Sequence, residues 1–359
     1  MNNNKLSLII KHFSPAWFAA SMGTGGIANL LYQLGKNNAA LRALGQTFFV
    51  INIVIFGVLL IPWVLRWFMH IKHVVIDIKH PIMSNFFVTM PVSGIILGTN
   101  LMLMGNTFLP NNVIINLSLI FWIFGTVFSL ILGVYVLFNI FIIDEVHPNT
   151  INFSWFITPV ASVVVPLLGN GLVKYYFNVN LDLANFINII DLSFYGIGMF
   201  LFIILFGVVV NRFIYHKMPH AMMLPTFWIM LGPIGVGTIA LVGLADINVM
   251  LGFLETASSI KLLSIILWGF GLWTFGFSTF ITVLYLGKGE IPFTLSWWAF
   301  IFPIVSYASG TLVIYSITNA SFILGYTFFL TVIVVIIWLV TFIKTLVGII
   351  NLKMLLPEL

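Results

Sequence analysis

The sequence contains no cysteine and very few charged residues. Of its 359 residues, 6% are charged and 61% are hydrophobic, whereas an ordinary soluble domain carries about 25% charged residues. The absence of cysteine excludes disulfides and thiolate chemistry. The scarcity of charge excludes a water-soluble globular protein, because its surface could not be covered with polar groups. The sequence therefore predicts a protein that has the lipid bilayer as its solvent.

The sequence contains long apolar runs with few charged residues between them. Residues 121–143 and 328–350 are nearly continuous runs, whereas a transmembrane β-strand alternates polar and apolar residues over about ten residues. At about 20 apolar residues per spanning helix, the length allows roughly ten spans. We expect an all-α membrane protein with a single transmembrane domain over residues 1–359, embedded from about residue 13 to residue 350 between short polar termini.

Proline recurs at a regular interval along this sequence. Five prolines lie 66, 67, 71 and 73 residues apart by their numbers: Pro15, Pro81, Pro148, Pro219 and Pro292. Each interval accommodates two spanning helices and two short loops. Proline is favoured in the first turn of a helix, because its missing N–H would have no partner there. The chain is therefore expected to form five helical hairpins.

The first helix of each hairpin carries a pair of adjacent aromatic residues followed by a helix-distorting residue. The distorting residues are Gly23, Pro91, Pro159, Pro233 and Pro303. A proline inside a helix frees a carbonyl, which in a membrane must be satisfied by protein or water. We expect these five kinked helices to surround a pseudo-fivefold pore. The smoother second helices, near 41–69, 113–141, 185–213, 260–286 and 322–350, should lie outside.

Lysine and arginine are distributed unequally between the two sets of predicted loops. Ten lie on the side of the N-terminus, and only Lys36, Arg42, Lys174 and Lys261 lie on the other side. Cytoplasmic loops carry the excess of positive charge in membrane proteins. Both termini are therefore predicted to be cytoplasmic, with the chain crossing the cell membrane many times. The formal charge of +5 is explained by the same bias, so we expect no nucleic-acid partner.

The kinked helices are expected to contain no Asp, Glu, Lys or Arg beyond their first turns, which predicts an electrically neutral pore. Candidate lining hydroxyls are those of Thr24, Ser93, Thr158 and Ser306. Any one of them could equally bond to a helix carbonyl and assist helix packing. No paired carboxylates, metal-spaced histidines or Ser–His arrangement fall at membrane depth. An enzyme, a metal site and a cofactor are therefore not expected.

Basic residues precede the kinked helices. The four histidines are His12, His80, His147 and His220, and the four lysines are Lys11, Lys79, Lys217 and Lys288. Together with five helix N-termini they would form a positive cytoplasmic mouth that concentrates anions and responds to pH. The alternative is an ordinary positive-inside bias. Asp144 and Glu145 interrupt the set and weaken the first interpretation.

Several segments together resemble the tellurite-resistance/dicarboxylate transporter family. They are residues 13–26, His80–Pro81 with residues 84–87, His147–Pro148, Gly232–Pro233 and residues 297–303. The family includes fungal malic-acid permeases and plant slow anion channels. The resemblance implies ten helices in five hairpins around a central pore, and commonly a homotrimer. It also implies that Phe302, in the sequence WWAFIFP, closes the pore.

Movement of small inorganic anions or C4-dicarboxylates such as malate through this pore, passive or proton-linked, is the leading functional hypothesis. A carrier of C4-dicarboxylates with alternating access, coupled to protons, is the second, and a membrane scaffold without transport is a distant third. A carrier would need fixed cations or convergent hydrogen-bond donors near the midplane. The expected lack of Lys and Arg there favours a channel.

Overall fold

A computed structural model describes residues 3–143, 146–289 and 291–356. Within these ranges the chain forms α-helices and short 3₁₀ turns without β-strands. The α-helices are α1 (Asn3–Lys11), α2 (Phe18–Leu34), α3 (Ala39–Met69), α4 (Ile71–Lys79), α5 (Thr89–Met104), α6 (Asn111–Ile142), α7 (Ile157–Tyr176), α8 (Leu181–Tyr215), α9 (Leu231–Met250), α10 (Ser258–Leu286), α11 (Trp298–Thr318) and α12 (Ser321–Ile350). Asp144 and Glu145 lie outside the described residues.

Five of these helices, α2, α5, α7, α9 and α11, form the inner set and have 16 to 21 residues. A 3₁₀ turn precedes each one: Pro15–Trp17, Met83–Val88, Phe153–Phe156, Ala221–Met230 and Leu295–Trp297. The kink prolines lie within the first two turns of the α-helical part. Because proline donates no backbone hydrogen bond, these positions suit the change from 3₁₀ to α-helical pairing.

The outer set consists of α3, α6, α8, α10 and α12, with 29 to 35 residues each. Their bounds agree within four residues with those expected from the apolar runs. Of the described residues, nine helices are long and apolar enough to cross a membrane: the outer five, and α5, α7, α9 and α11 with their 3₁₀ turns. The 17-residue α2 is not among them.

Burial separates the two sets. In the most apolar stretch of each spanning helix, 67–89% of residues are buried in the inner set, against 22–39% in the outer set. Each inner helix packs against the outer helix that follows it in the chain. Each also contacts the next inner helix, and α11 contacts α2. The inner helices therefore form a closed ring of contacts, as short glycine- and proline-containing helices shielded from lipid can do.

Two glycines of α2 close this ring against α11. A Cβ atom on Gly23 would lie 2.7 Å from Ile301 Cγ2, and one on Gly26 would lie 2.6 Å from Val305 Cγ1. Neither position has room for a side chain without a shift of α11. The glycine that replaces proline in the aromatic pattern is therefore required for close helix packing.

Two buried arginines connect the inner helix starts to their surroundings. Arg66 Nε donates to Lys11 O at 3.0 Å, and its Nη2 lies 2.5 Å from Asp77 Oδ2. Arg212 donates to the carbonyls of Pro148 and Lys217. Both residues belong to the ten cations on the N-terminal side. Asp77 neutralises the charge of Arg66, whereas Arg212 keeps its full charge because its partners are neutral oxygens.

Candidate functional site

Two cavities lie in the middle of the inner ring. The larger cavity has a volume of about 220 Å³ and the smaller cavity about 40 Å³. Residues of all five inner helices or their 3₁₀ turns line each one. The smaller cavity is lined by the early turns of these helices, and the larger cavity by later turns. The two cavities therefore follow one another along the axis of the ring.

Phe302 lies where the two cavities meet. Among the described residues it alone lines both of them. Its side chain is buried, with 7% exposed, and it stands one residue before Pro303, which lines the smaller cavity. The phenylalanine that the family resemblance singled out thus lies between the two axial spaces.

The two cavities differ in polarity. Thr89 is the single hydroxyl residue of the smaller cavity, which is otherwise apolar and includes Ile157, Val160 and Trp298. The larger cavity contains five polar side chains: Asn29, Gln33, Thr99, Ser306 and Ser309. The larger cavity can therefore solvate an ion, whereas the smaller one favours neither water nor ions.

The polar groups of the larger cavity are not equivalent. Thr99 donates its hydroxyl hydrogen to Ile95 O at 2.9 Å, and Ser306 donates to Phe302 O at 2.6 Å. Both therefore present acceptor lone pairs to the cavity. Asn29 uses its Oδ1 to accept from Asn100 Nδ2 at 2.7 Å, which leaves its amide hydrogens available. Together with Gln33 and Ser309, Asn29 can donate to an anion.

Other predicted lining residues point away from the cavities. Thr24 donates to Ala20 O and accepts from Trp338 Nε1 on α12. The Ser93 hydroxyl lies 2.9 Å from Phe18 O, and Thr158 donates to Asn85 Oδ1 at 3.0 Å. These hydroxyls join neighbouring helices, which is the packing role that the sequence left open. Gly23, Pro91, Pro159 and Pro233 are buried and line neither cavity.

The eight basic residues of the predicted mouth all occur in the segments that lead into inner helices. His80, His147 and His220 cap 3₁₀ or loop turns, because the Nδ1 atom of each accepts a backbone N–H two residues further on. Partial burial, with the charges of Lys11 and Arg66, lowers the pKa of His12 below its ordinary value. The histidines are therefore parts of helix starts as well as potential charges.

Sequence reasoning missed Asp246 and Asp191 and placed Lys174 in a loop. The expectation of no charge beyond the first turns is wrong at the far ends of α7 and α9, which include Lys174 and Asp246. Asp246 Oδ1 pairs with Lys261 Nζ at 2.7 Å. A third residue, Asp191, is fully buried in the outer helix α8. A search of all apolar runs, and not of the kinked helices alone, would have found this isolated acidic residue.

A sequence model of the SLAC1 family, described as voltage-dependent anion channel, matches residues 12–346. The chain belongs to this family. The SLAC1 match, with relatives described below, confirms the relationship expected from the aromatic–proline segments. It covers all five inner helices and four complete outer helices. The protein is thus a multi-pass membrane transporter and not an enzyme.

Relatives of this SLAC1 protein carry names of transporters. A protein of Methanocaldococcus jannaschii, named an uncharacterized transporter, is 34% identical over 339 residues, which cover 94% of this chain and 93% of that protein. A sulfite efflux pump of Trichophyton rubrum is 24% identical over 94% of this chain and 91% of its own length. A malic acid transport protein of Schizosaccharomyces pombe is 22% identical over 86% of this chain and 72% of its own length. These relationships support the transport of anions across a membrane.

Proposed function

We propose that this protein carries small anions through its inner ring, along a path from the smaller cavity past Phe302 to the larger cavity. The observation that carries this proposal is that all five inner helices, with their 3₁₀ turns, line both cavities, and that Phe302 lines both. The proposed architecture is ten spanning helices in five hairpins with pseudo-fivefold symmetry. In it, α2 and its 3₁₀ turn form the tenth and shortest span.

Helix orientation supports selectivity for anions. The early turns of all five inner helices line the smaller cavity, so their N-termini point towards the same end of the path. Each helix N-terminus carries a partial positive charge of about half an elementary charge. Lys79, Lys217 and Lys288 are exposed beside these helix starts. Anions are therefore attracted to this mouth, while cations are repelled.

Phe302 is the proposed gate of this path. Its ring and the apolar side chains of the smaller cavity form a constriction that excludes water, and a hydrophobic constriction blocks ions without any fixed charge. Rotation of the ring about its side-chain bonds would join the two cavities. A neutral path with few donors selects weakly among small anions, so inorganic anions and C4-dicarboxylates such as malate are both proposed substrates.

The proposed environment is the cell membrane, with both termini on the cytoplasmic side. This orientation places the basic helix starts at the cytoplasmic mouth.

The outer helices present large apolar side chains, such as Phe200, Ile203 and Ile204 of α8. Such faces suit lipid or another subunit. A homotrimer with one path per subunit is the proposed assembly, and residues 13–350 form one transmembrane domain.

An alternating-access carrier of C4-dicarboxylates is the second candidate. The donors Asn29, Gln33 and Ser309 converge in one cavity that Phe302 closes on one side, as a carrier site would require. In this mechanism the protein would open the cavity to each side in turn. A carrier exchanges bound substrate across the membrane, whereas a channel passes current down the gradient.

Recordings in planar bilayers test the proposal. Purified protein is placed in gradients of chloride, nitrate, sulfite or malate, and the reversal potential is measured. We expect the reversal potential to follow the anion gradient. A potential that follows the cation gradient would overturn the proposal. Counterflow uptake of labelled malate into liposomes distinguishes the candidates, because strong counterflow without current identifies the carrier.

A further inference from the structure

Asp191 is an acidic residue buried in the first third of an apolar helix. It is the eleventh residue of the 35-residue α8 and has no exposed surface. Trp122 Nε1 of α6 donates to its Oδ1 at 2.9 Å. Its Oδ2 has no hydrogen-bond partner among the described residues. One carboxylate oxygen is therefore satisfied and the other is not.

The bond from Trp122 is unusual among the tryptophans of this protein. Four other indoles donate to threonine hydroxyls on neighbouring helices: Trp228 to Thr282, Trp268 to Thr311, Trp298 to Thr345 and Trp338 to Thr24. Threonine would satisfy an indole N–H at no electrostatic cost. A carboxyl group in this position therefore needs an explanation beyond helix packing.

Titratable side chains are present on every element that packs around Asp191, but none pairs with it. They are Tyr135 on α6, Lys174, Tyr175 and Tyr176 on α7, Asp246 on α9, and Asp182, Tyr195, Arg212 and Tyr215 on α8 itself. Among the described residues the ion pairs are Arg66–Asp77 and Lys261–Asp246. An isolated carboxylate in a dry interior is strongly unfavourable unless a cation or a proton neutralises it.

Asp191 packs against the inner helix that forms part of the larger cavity. Its two carboxyl oxygens occupy the space that a Cβ atom on Gly169 of α7 would fill. Leu168 and Gly171, on the same turn of α7, line the larger cavity. The carboxyl group and an anion in this cavity would thus be separated by about one helix diameter, about 10 Å.

We propose that Asp191 is a proton-binding site that keeps the wall of the larger cavity neutral and links proton binding to anion occupancy. The proton comes from water and binds Oδ2, the oxygen without a partner, forming an O–H bond. Oδ1 remains the carbonyl oxygen that accepts the indole N–H. Release of the proton to water restores the carboxylate and its negative charge.

The amides of Asn188 and Asn248 supply polar groups between Asp191 and the N-terminal end of α8. Asn188 lies about one turn closer to this N-terminal end than Asp191 does. Its Nδ2 donates to Asn248 Oδ1 at 3.1 Å. Asn170, next to Gly169, has a buried Oδ1 without a partner. These buried groups could stabilise water along a route for the proton.

The link follows from electrostatics and rests on the proposed anion path. A full negative charge about 10 Å from an anion, at an effective dielectric constant of about 20, weakens anion binding on the order of tenfold. By thermodynamic reciprocity, an anion in the cavity strengthens proton binding at Asp191 by the same factor. Protonation therefore favours an anion in the larger cavity.

Infrared spectroscopy tests the proton site without any transport measurement. Wild-type protein at about pH 6 should show the C=O stretching band of a buried protonated carboxylic acid, and the band should fall as the pH is raised to about 10. D191N should lack this band. The control D246N, which removes an exposed carboxylate, should keep it. A band that is absent at about pH 6, unchanged at about pH 10, or present in D191N overturns the proposal.

Anion flux into liposomes tests the link to the cavity. Over the pH interval in which the wild-type band disappears, flux should fall on the order of tenfold in wild type and in D246N, but not in D191N. The link is overturned if flux falls equally in D191N. It is also overturned if the wild-type flux stays constant over the pH interval in which the infrared band disappears. If no variant transports anions, the proposed function fails while the infrared result still decides the proton site.

A second variant covers the case in which D191N does not fold. W122F keeps the carboxyl group and removes its hydrogen bond at Oδ1. The infrared band should then shift to higher frequency, because its C=O group has lost a donor. A band that does not shift in W122F belongs to another group and contradicts the assignment to Asp191.

Discussion

The smaller and larger cavities are built by the same five helices, yet they have opposite character. The smaller cavity is lined by the 3₁₀ turns and the first α-helical turns, which provide apolar side chains such as Ile229 and Trp298. The larger cavity is lined by later turns of these helices, where glycine and small polar residues such as Gly26 and Ser309 occur. Position along each helix, and not helix identity, therefore decides whether the path repels or accepts an ion.

Replacing the residue between the cavities should have the largest effect. Phe302→Ala removes the ring that both cavities share, so the two spaces become continuous and can fill with water. We expect conductance in planar bilayers to rise on the order of tenfold or more, since about 1.4 kcal/mol removed from a barrier gives a factor of ten.

Phe300→Ala is the matched control for this change. Phe300 lies on the same helix and is equally buried, but it packs against Trp228 and Trp297 and lines neither cavity. The conductance of the Phe300→Ala variant should stay near the wild-type value. If both variants conduct equally, the increase reflects loosened packing of α11, and Phe302 is not the gate.

Removing a donor from the larger cavity should have an intermediate effect. Asn29→Leu deletes the free amide hydrogens, and a hydrogen bond to a charged group contributes about 1.5–3 kcal/mol. The anion concentration at half-maximal flux should therefore rise roughly tenfold or more. Thr99→Val is the control, since Thr99 already donates to Ile95 O. An equal loss in both variants would show that polarity alone, and not donation, matters in this cavity.

Changes at the basic mouth should have the smallest effect. The exposed side chains of Lys79, Lys217 and Lys288 attract anions to this end of the path, and salt screens the attraction of exposed charges. Flux into liposomes should therefore be a few-fold higher at low salt than at high salt. Partial burial and the charges of Lys11 and Arg66 lower the pKa of His12, so His12 should add charge only at more acidic pH than an ordinary imidazole.

Asparagine is the appropriate replacement at His12, His80, His147 and His220. An Asn side chain can still accept a backbone N–H at a helix start, as the histidine Nδ1 atoms do, but it does not titrate. The pH profile of flux into liposomes is compared between the fourfold His→Asn variant and wild type. We expect a difference, because the variant has lost the charge that His12 acquires at acidic pH. If the two profiles match, the histidines serve only as caps.

The periodic features of the sequence predicted the fold well. Proline spacing and apolar runs located the helices, because both act through local backbone geometry and exposure to lipid. Phe302 could be singled out because the segment WWAFIFP resembles the same segment of a known family. Its position beside Pro303 on a predicted inner helix supported the choice, whereas a lone phenylalanine in an apolar helix is usually part of the core.

Side-chain direction could not be predicted in the same way. Thr24, Ser93 and Thr158 occur on the correct helices, but a rotation of each helix by one residue decides whether a hydroxyl faces the axis or a neighbour. The importance of Asp191 depends on Trp122 and Gly169, which come from two other helices. Such a three-helix contact exists only in the folded protein.

The inner and outer helices also differ greatly in length. The outer helices, with 29 to 35 residues, are about 44–52 Å long at 1.5 Å per residue, whereas a bilayer has a hydrocarbon core of about 30 Å. They must tilt or extend into the headgroup region. We therefore expect a change in bilayer thickness to act first on the outer helices, whose residues are less buried than those of the inner set.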